Sequence, residues 1–130
     1  MNRAQLIERL SALPFDNQEY WLAAGGAMVC YDFREETRDV DLGCSTHLAE
    51  VLEQEGYPTT VLKDGTRRIE FADDVEIYEN WLQDKVILQE GIPVVSVRGL
   101  ILMKEHLGRE KDFRDIALIR MCMEKRGENV

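Results

Sequence analysis

The stretch from Tyr20 to Ser45, YWLAAGGAMVCYDFREETRDVDLGCS, restricts this chain more than any other. Trp21-Leu22-Ala23-Ala24 is a short apolar run with an aromatic at its entry, and it leads directly into Gly25-Gly26. Such a run predicts a buried strand, followed by a turn that needs either positive φ or close approach of another group. After a spacer that holds a short helix from Gly26 to about Tyr31, Asp39-Val40-Asp41-Leu42 alternates acid and apolar. As a strand it projects both carboxylates from one face and packs Val40 and Leu42 beneath. Two neighbouring carboxylates repel each other and want a cation. Hard oxygen ligands suit Mg²⁺, which takes one or two carboxylates and fills its other positions with water and phosphates.

The rest of the chain supplies a framework for this stretch. With 45% hydrophobic residues, 130 residues suffice for one domain over 1–130. No apolar run is long enough to span a bilayer, and MNRAQLIERL lacks a secretory apolar segment, so a cytoplasmic protein without membrane contact is expected. Cys30, Cys44 and Cys122 form no CxxC pair and read as small buried residues rather than as a disulfide or zinc framework. The net charge of −9 argues against a nucleic-acid partner, because phosphate backbones are bound by clustered Lys and Arg, although a local basic pocket remains compatible with it.

Asn2 to Leu13 places Leu6, Ile7, Leu10 and Leu13 at helical spacing, with Asn2 as cap and Pro14 as stop. Ser45 or Thr46 caps a second helix with Leu48, Val51 and Leu52 on one face, closed by Gly56; His47 on its first turn reads as solvated. Tyr57–Leu62 and Arg67–Ala72 flank Asp64-Gly65 as a hairpin, and Val75-Glu76-Ile77-Tyr78 alternates as a further strand. Trp81 to Leu88 reads as mostly irregular. Gly99 to Leu107 predicts a helix buried through Leu100, Met103 and Leu107, and a last helix packs through Phe113, Ile116, Ala117 and Met121. Lys104 and Lys111 are seven apart and share a face if the helix is continuous, a register that Gly108 threatens.

Gly25-Gly26, the spacer and Asp39-Val40-Asp41-Leu42 resemble the signature of the DNA polymerase beta-like nucleotidyltransferase superfamily. The wider GGAMVCYDFREETRDVDL is similar to its small single-domain bacterial members, including lincosamide nucleotidyltransferases and the nucleotidyltransferase toxins of abortive-infection systems. Lys104 followed by Lys111-Asp112-Phe113-Arg114-Asp115 resembles that family's C-terminal pattern.

The resemblance implies an α+β fold, with a mixed sheet, helices mainly on one face, and the site at the sheet edge where Gly25-Gly26 meets the aspartates. It implies transfer of a nucleoside monophosphate from an NTP, ATP first, to a hydroxyl of a small-molecule or protein acceptor. Asp39 and Asp41 would be joined at Mg²⁺ by a third carboxylate, Glu76 before Glu70. Gly25, Gly26, Thr37, Arg38, Lys104 and Lys111 are the nucleotide-side candidates. Many members carry serine after the first glycine, where this chain has Gly26 and Ala27, so phosphate holding would fall to backbone N–H groups. That departure keeps an alternative open, a catalytically degenerate nucleotide-binding or toxin–antitoxin-type module. A homodimer that completes the cleft is also compatible with so small a domain.

Overall fold

The computed structural model describes residues 1–81 and 84–129. Helix α1 (Arg3–Ser11) starts where the sequence signals it: the Asn2 side chain accepts from Gln5 N, and Gln5 Oε1 accepts from Asn2 N, both at 2.9 Å. The apolar run becomes β1 (Tyr20–Ala23), followed at once by α2 (Ala24–Cys30), then β2 (Val40–Cys44) and α3 (Thr46–Gln54), capped by Ser45. Strands β3 (Thr59–Val61) and β4 (Arg67–Ala72) form the expected hairpin, in which Asp64 Oδ1 accepts from Thr66 N at 2.9 Å. There follow β5 (Val75–Glu79), β6 (Val86–Gln89), β7 (Ile92–Val95), α4 (Val97–Leu107) and α5 (Glu110–Lys125).

One mixed sheet runs in the order β3-β4-β5-β2-β1-β7-β6. Strand β2 lies at its centre, antiparallel to β1 and parallel to β5. Leu22, Leu42, Ile77 and Ile69 stand in register across four strands and are fully buried, so one face of the sheet is core. Helices α2 and α3 pack on these strands, and α1 packs on α2 and β7. Helices α4 and α5 pack chiefly on one another. This is the expected α+β arrangement, a mixed sheet with its helices mainly on one face.

Several local expectations need correction. The glycine pair is not the turn: Gly25 and Gly26 lie in the first turn of α2, and the positive φ (+53°) falls on Ala24. Close approach is what requires glycine here, because a Cβ on Gly26 would stand 2.6 Å from Leu22 Cδ1. Of the Trp81–Leu88 stretch expected to be irregular, Val86 to Leu88 belong to β6, paired antiparallel with β7, while Leu82 and Gln83 lie outside the described residues.

The helix faces also differ from expectation. In α4 the buried residues are Gly99, Leu100, Ile101, Met103 and Lys104, with Leu107 exposed. In α5 they are Asp112, Ile116, Ile119 and Met123, whereas Phe113, Ala117 and Met121 face solvent. The cause is electrostatic: Lys104 and Asp112 compensate each other and neighbouring charges, so charged residues occupy core positions that apolar periodicity alone gives to Phe113 and Leu107. Gly108, at φ +62°, ends α4 in a left-handed cap, so Lys104 and Lys111 do not share one continuous helix.

Candidate functional site

The sheet face opposite the apolar core carries two rows of residues. Ala23, Asp41, Glu76 and Glu70 are register partners across β1, β2, β5 and β4. Beside them runs Trp21, Gly43, Tyr78 and Arg68. The strand parity that buries Val40 and Leu42 thus delivers Asp41 to this face, and the parallel pairing of β2 with β5 brings Glu76 beside it. Asp41 stands on the middle strand of the sheet, not at its edge.

Burial, then Glu76, then Asp39 push the Asp41 carboxyl up to about 6. Two of the acids named from sequence, Glu76 and Asp39, therefore bear electrostatically on the third, Asp41. Glu76 Oε2 accepts a hydrogen bond from the Tyr78 hydroxyl at 2.6 Å, and burial followed by this contact pushes the Tyr78 phenol upward. Among the described residues no group of three or more His, Cys, Asp or Glu side chains converges closely enough to enclose an ion. The donor chemistry nevertheless fits a hard divalent cation: two or three carboxylates, one of them half-buried and reluctant to ionise, match an ion that needs only one or two carboxylates.

Asp39 and Asp41 open into a cleft of about 1280 Å³. Of the other residues named from sequence, Gly25, Thr37, Arg38, Lys104 and Lys111 line it, while Gly26 and Glu76 do not. Thr37 Oγ1 donates to the Asp39 carbonyl at 3.2 Å, holding the entry to β2. A Cβ on Gly25 would lie 2.8 Å from Thr37 Oγ1 and 3.2 Å from Arg34 Nη1, so glycine lets this loop close over α2. The α2 N-cap is Ala23, which supplies no side-chain cap to the helix start.

Lys104 is not a free cation. Its Nζ stands 2.8 Å from Asp115 Oδ2 and 3.9 Å from Asp112 Oδ1, and its side chain is only 6% exposed. Asp115 also pairs with Arg34 Nη2 at 3.1 Å. Asp112 is held by Arg109 through Nε at 2.6 Å and Nη2 at 3.1 Å, and that hydrogen bonding keeps its carboxyl below the usual range despite burial. The network ties the α2–β2 loop to α4 and α5. On this wall of the cleft stand five cationic side chains, Arg34, Lys104, Arg109, Lys111 and Arg114, among the carboxylates Asp84, Asp112 and Asp115. On a chain of net charge −9 that is a local basic wall.

Sequence reasoning missed Tyr78, Arg34, Trp81 and Arg109. Tyr78 was within reach, since it lies two positions after Glu76 and so on the same strand face. Arg34 was not, because its partner Asp115 is 81 positions away.

No protein-family model and no curated protein matches the sequence. Among solved structures, a proposed nucleotidyltransferase from Thermotoga maritima is similar at 15% identity and a TM-score of 0.55, over 94% of this chain and 90% of that one. The fold is nucleotidyltransferase-like. Among the described residues, no helix is long and apolar enough to cross a membrane.

Proposed function

We propose that this chain is a divalent-metal-dependent nucleotidyltransferase that moves a nucleoside monophosphate from an NTP, ATP first, to a hydroxyl of a small-molecule or protein acceptor. One observation carries the reading: Asp41, coupled to Asp39 and Glu76, faces a cleft whose other wall is basic. Support comes also from the fold shared with a proposed nucleotidyltransferase. Asp39 and Asp41 would hold Mg²⁺, with Glu76 turning from Tyr78 to join them. When bound, the ion would neutralise charge on the triphosphate and sharpen the attacking oxygen.

The chain's own residues would bind and orient. Arg38, Lys111, Arg109 and Arg114 present exposed cations to the phosphates, and Gly25 lets the loop that carries Arg34 and Thr37 close against the start of α2 beside them. Lys104 would act at one remove, fixing Asp112 and Asp115 and with them Arg109 and Arg34. An acceptor hydroxyl would approach from the side of Asp41 and Glu76, where a carboxylate accepts its proton.

A second reading, nucleotide binding without turnover, is favoured by the engagement of Glu76 with Tyr78 and by the lack of a converging third carboxylate among the described residues. Calorimetric titration with the four NTPs, with and without Mg²⁺, in the wild-type chain and in Asp39→Asn/Asp41→Asn, tests both. Metal-dependent binding that the double variant loses, with pyrophosphate released in an acceptor screen, is the expected result. Binding without pyrophosphate release supports the second reading, and no binding by the wild-type chain sinks both.

A further inference from the structure

Resting on the nucleotidyl-transfer reading of the cleft, we propose that its end formed by Trp81 and Tyr78 is a built stacking platform for a flat ring, either the base of the donor nucleotide or a ring of the acceptor. Both residues line the cleft and are only partly buried, with ring centroids 4.6 Å apart. Their positions are fixed from beneath. Trp21 crosses the sheet face and donates from Nε1 to the Trp81 carbonyl at 2.6 Å. It can do so only because its register partner is Gly43, where a Cβ would stand 2.1 Å from Trp21 Nε1 and 2.6 Å from the Trp81 carbonyl oxygen.

Size and polarity agree with a ring-bearing ligand. A cleft of about 1280 Å³ is larger than the roughly 300–1,000 Å³ of a typical small-ligand pocket, leaving space beyond the basic wall. Leu62 adds an apolar rim near the hairpin, and Asn80 and Thr66 add hydrogen-bonding groups for a ring edge. The platform residue Tyr78 also holds Glu76, so a ring seated there lies next to the carboxylates.

The test combines calorimetry with tryptophan emission, which comes from Trp21 and Trp81 alone. The probes are ATP, adenosine, tyrosinamide and inorganic triphosphate, each with Mg²⁺, against the wild-type chain, Trp81→Leu and Trp81→Phe. The expected result is that a ring-bearing probe shifts wild-type emission and binds Trp81→Leu about 5- to 150-fold more weakly, the loss that removal of one stacking aromatic brings. Inorganic triphosphate should bind all three alike. Trp81→Phe, which keeps a ring, should stay within about 3-fold of wild type.

Adenosine displaced by ATP would assign the ring to the donor, whereas tyrosinamide bound alongside ATP would assign it to the acceptor. Emission unmoved by every ring-bearing probe overturns the platform, whether or not Trp81→Leu folds, as does equal binding of these probes by Trp81→Leu and wild type. Triphosphate binding that survives such a result leaves the transferase reading standing. Ring binding without any triphosphate binding sinks the transferase reading and keeps the platform.

Discussion

Asp41 and Glu76 stand opposite each other on neighbouring parallel strands, β2 and β5, and burial together with the Glu76 carboxylate raises the cost of charging Asp41. A folded-state value of about 6 lies above the 3.8 of a free aspartate. The native chain therefore binds more protons than the unfolded chain between about pH 4 and pH 6, and the stability this provides is lost as pH rises through about 6.

Asp41→Asn removes that penalty. Its melting temperature without metal should exceed that of wild type at pH 8, by an amount equivalent to about 1 to 2 kcal/mol after solvent screening is allowed for. The gain should vanish below about pH 4, where the wild-type carboxyl is neutral in both states. Mg²⁺ at pH 8 should raise the melting temperature of wild type and leave Asp41→Asn unmoved. A variant that melts lower than wild type at pH 8 would show that Asp41 is compensated by an interaction outside the acid row.

The alternation of Val40-Asp41-Leu42 and of Val75-Glu76-Ile77-Tyr78 made Asp41 and Glu76 legible, because strand parity needs no partner to be known, whereas Asp39, expected on the same strand face, lies in the bend just before β2. What pairing adds is the neighbour: Gly43 reads as an ordinary strand glycine until Trp21 lies across it. The same holds for α5. Its buried stripe begins at Asp112 and runs through Ile116, Ile119 and Met123, and an acid there is explicable only once Lys104 and Arg109 are seen beside it. Apolar periodicity alone turns the helix toward Phe113, which is 55% exposed. Charge pairing between the end of α4 and the start of α5 was the hidden variable.

Lys104 distinguishes a structural cation from a phosphate ligand. Lys104→Met removes a partner from two largely buried carboxylates, at a cost of about 3 kcal/mol, the lower end for breaking a buried pair since Arg109 and Arg34 remain. Urea denaturation should show a lowered midpoint, with triphosphate affinity falling only as α4 and α5 loosen. If the midpoint is unchanged while affinity for inorganic triphosphate collapses, Lys104 instead leaves its ion pairs to meet phosphate.

Ala24 carries a left-handed backbone, φ +53°, at the junction of β1 and α2, immediately before two glycines that do not. Side chains with a Cβ are strained in that conformation, so Ala24→Gly should stabilise the fold by about 0.5 to 1 kcal/mol. Thermal melting at constant pH measures it. A destabilised variant would mean that unfolded-state entropy outweighs the strain relieved.

Gly43→Ala probes how the sheet supports both the acids and the aromatic wall. The added methyl must displace Trp21, whose indole nitrogen lies 2.1 Å from the built position, or the Trp81 backbone at 2.6 Å. Overpacking of this kind costs about 1 to 3 kcal/mol. Because Trp21 holds the Trp81 carbonyl, its displacement should also change tryptophan emission in the absence of any ligand, and should weaken ring binding more than triphosphate binding. Asp41, two positions earlier on the same strand, keeps its register with Glu76, so Mg²⁺-dependent stabilisation should survive in the variant. Loss of that stabilisation together with ring binding would show that the aromatic and acidic rows move as one unit.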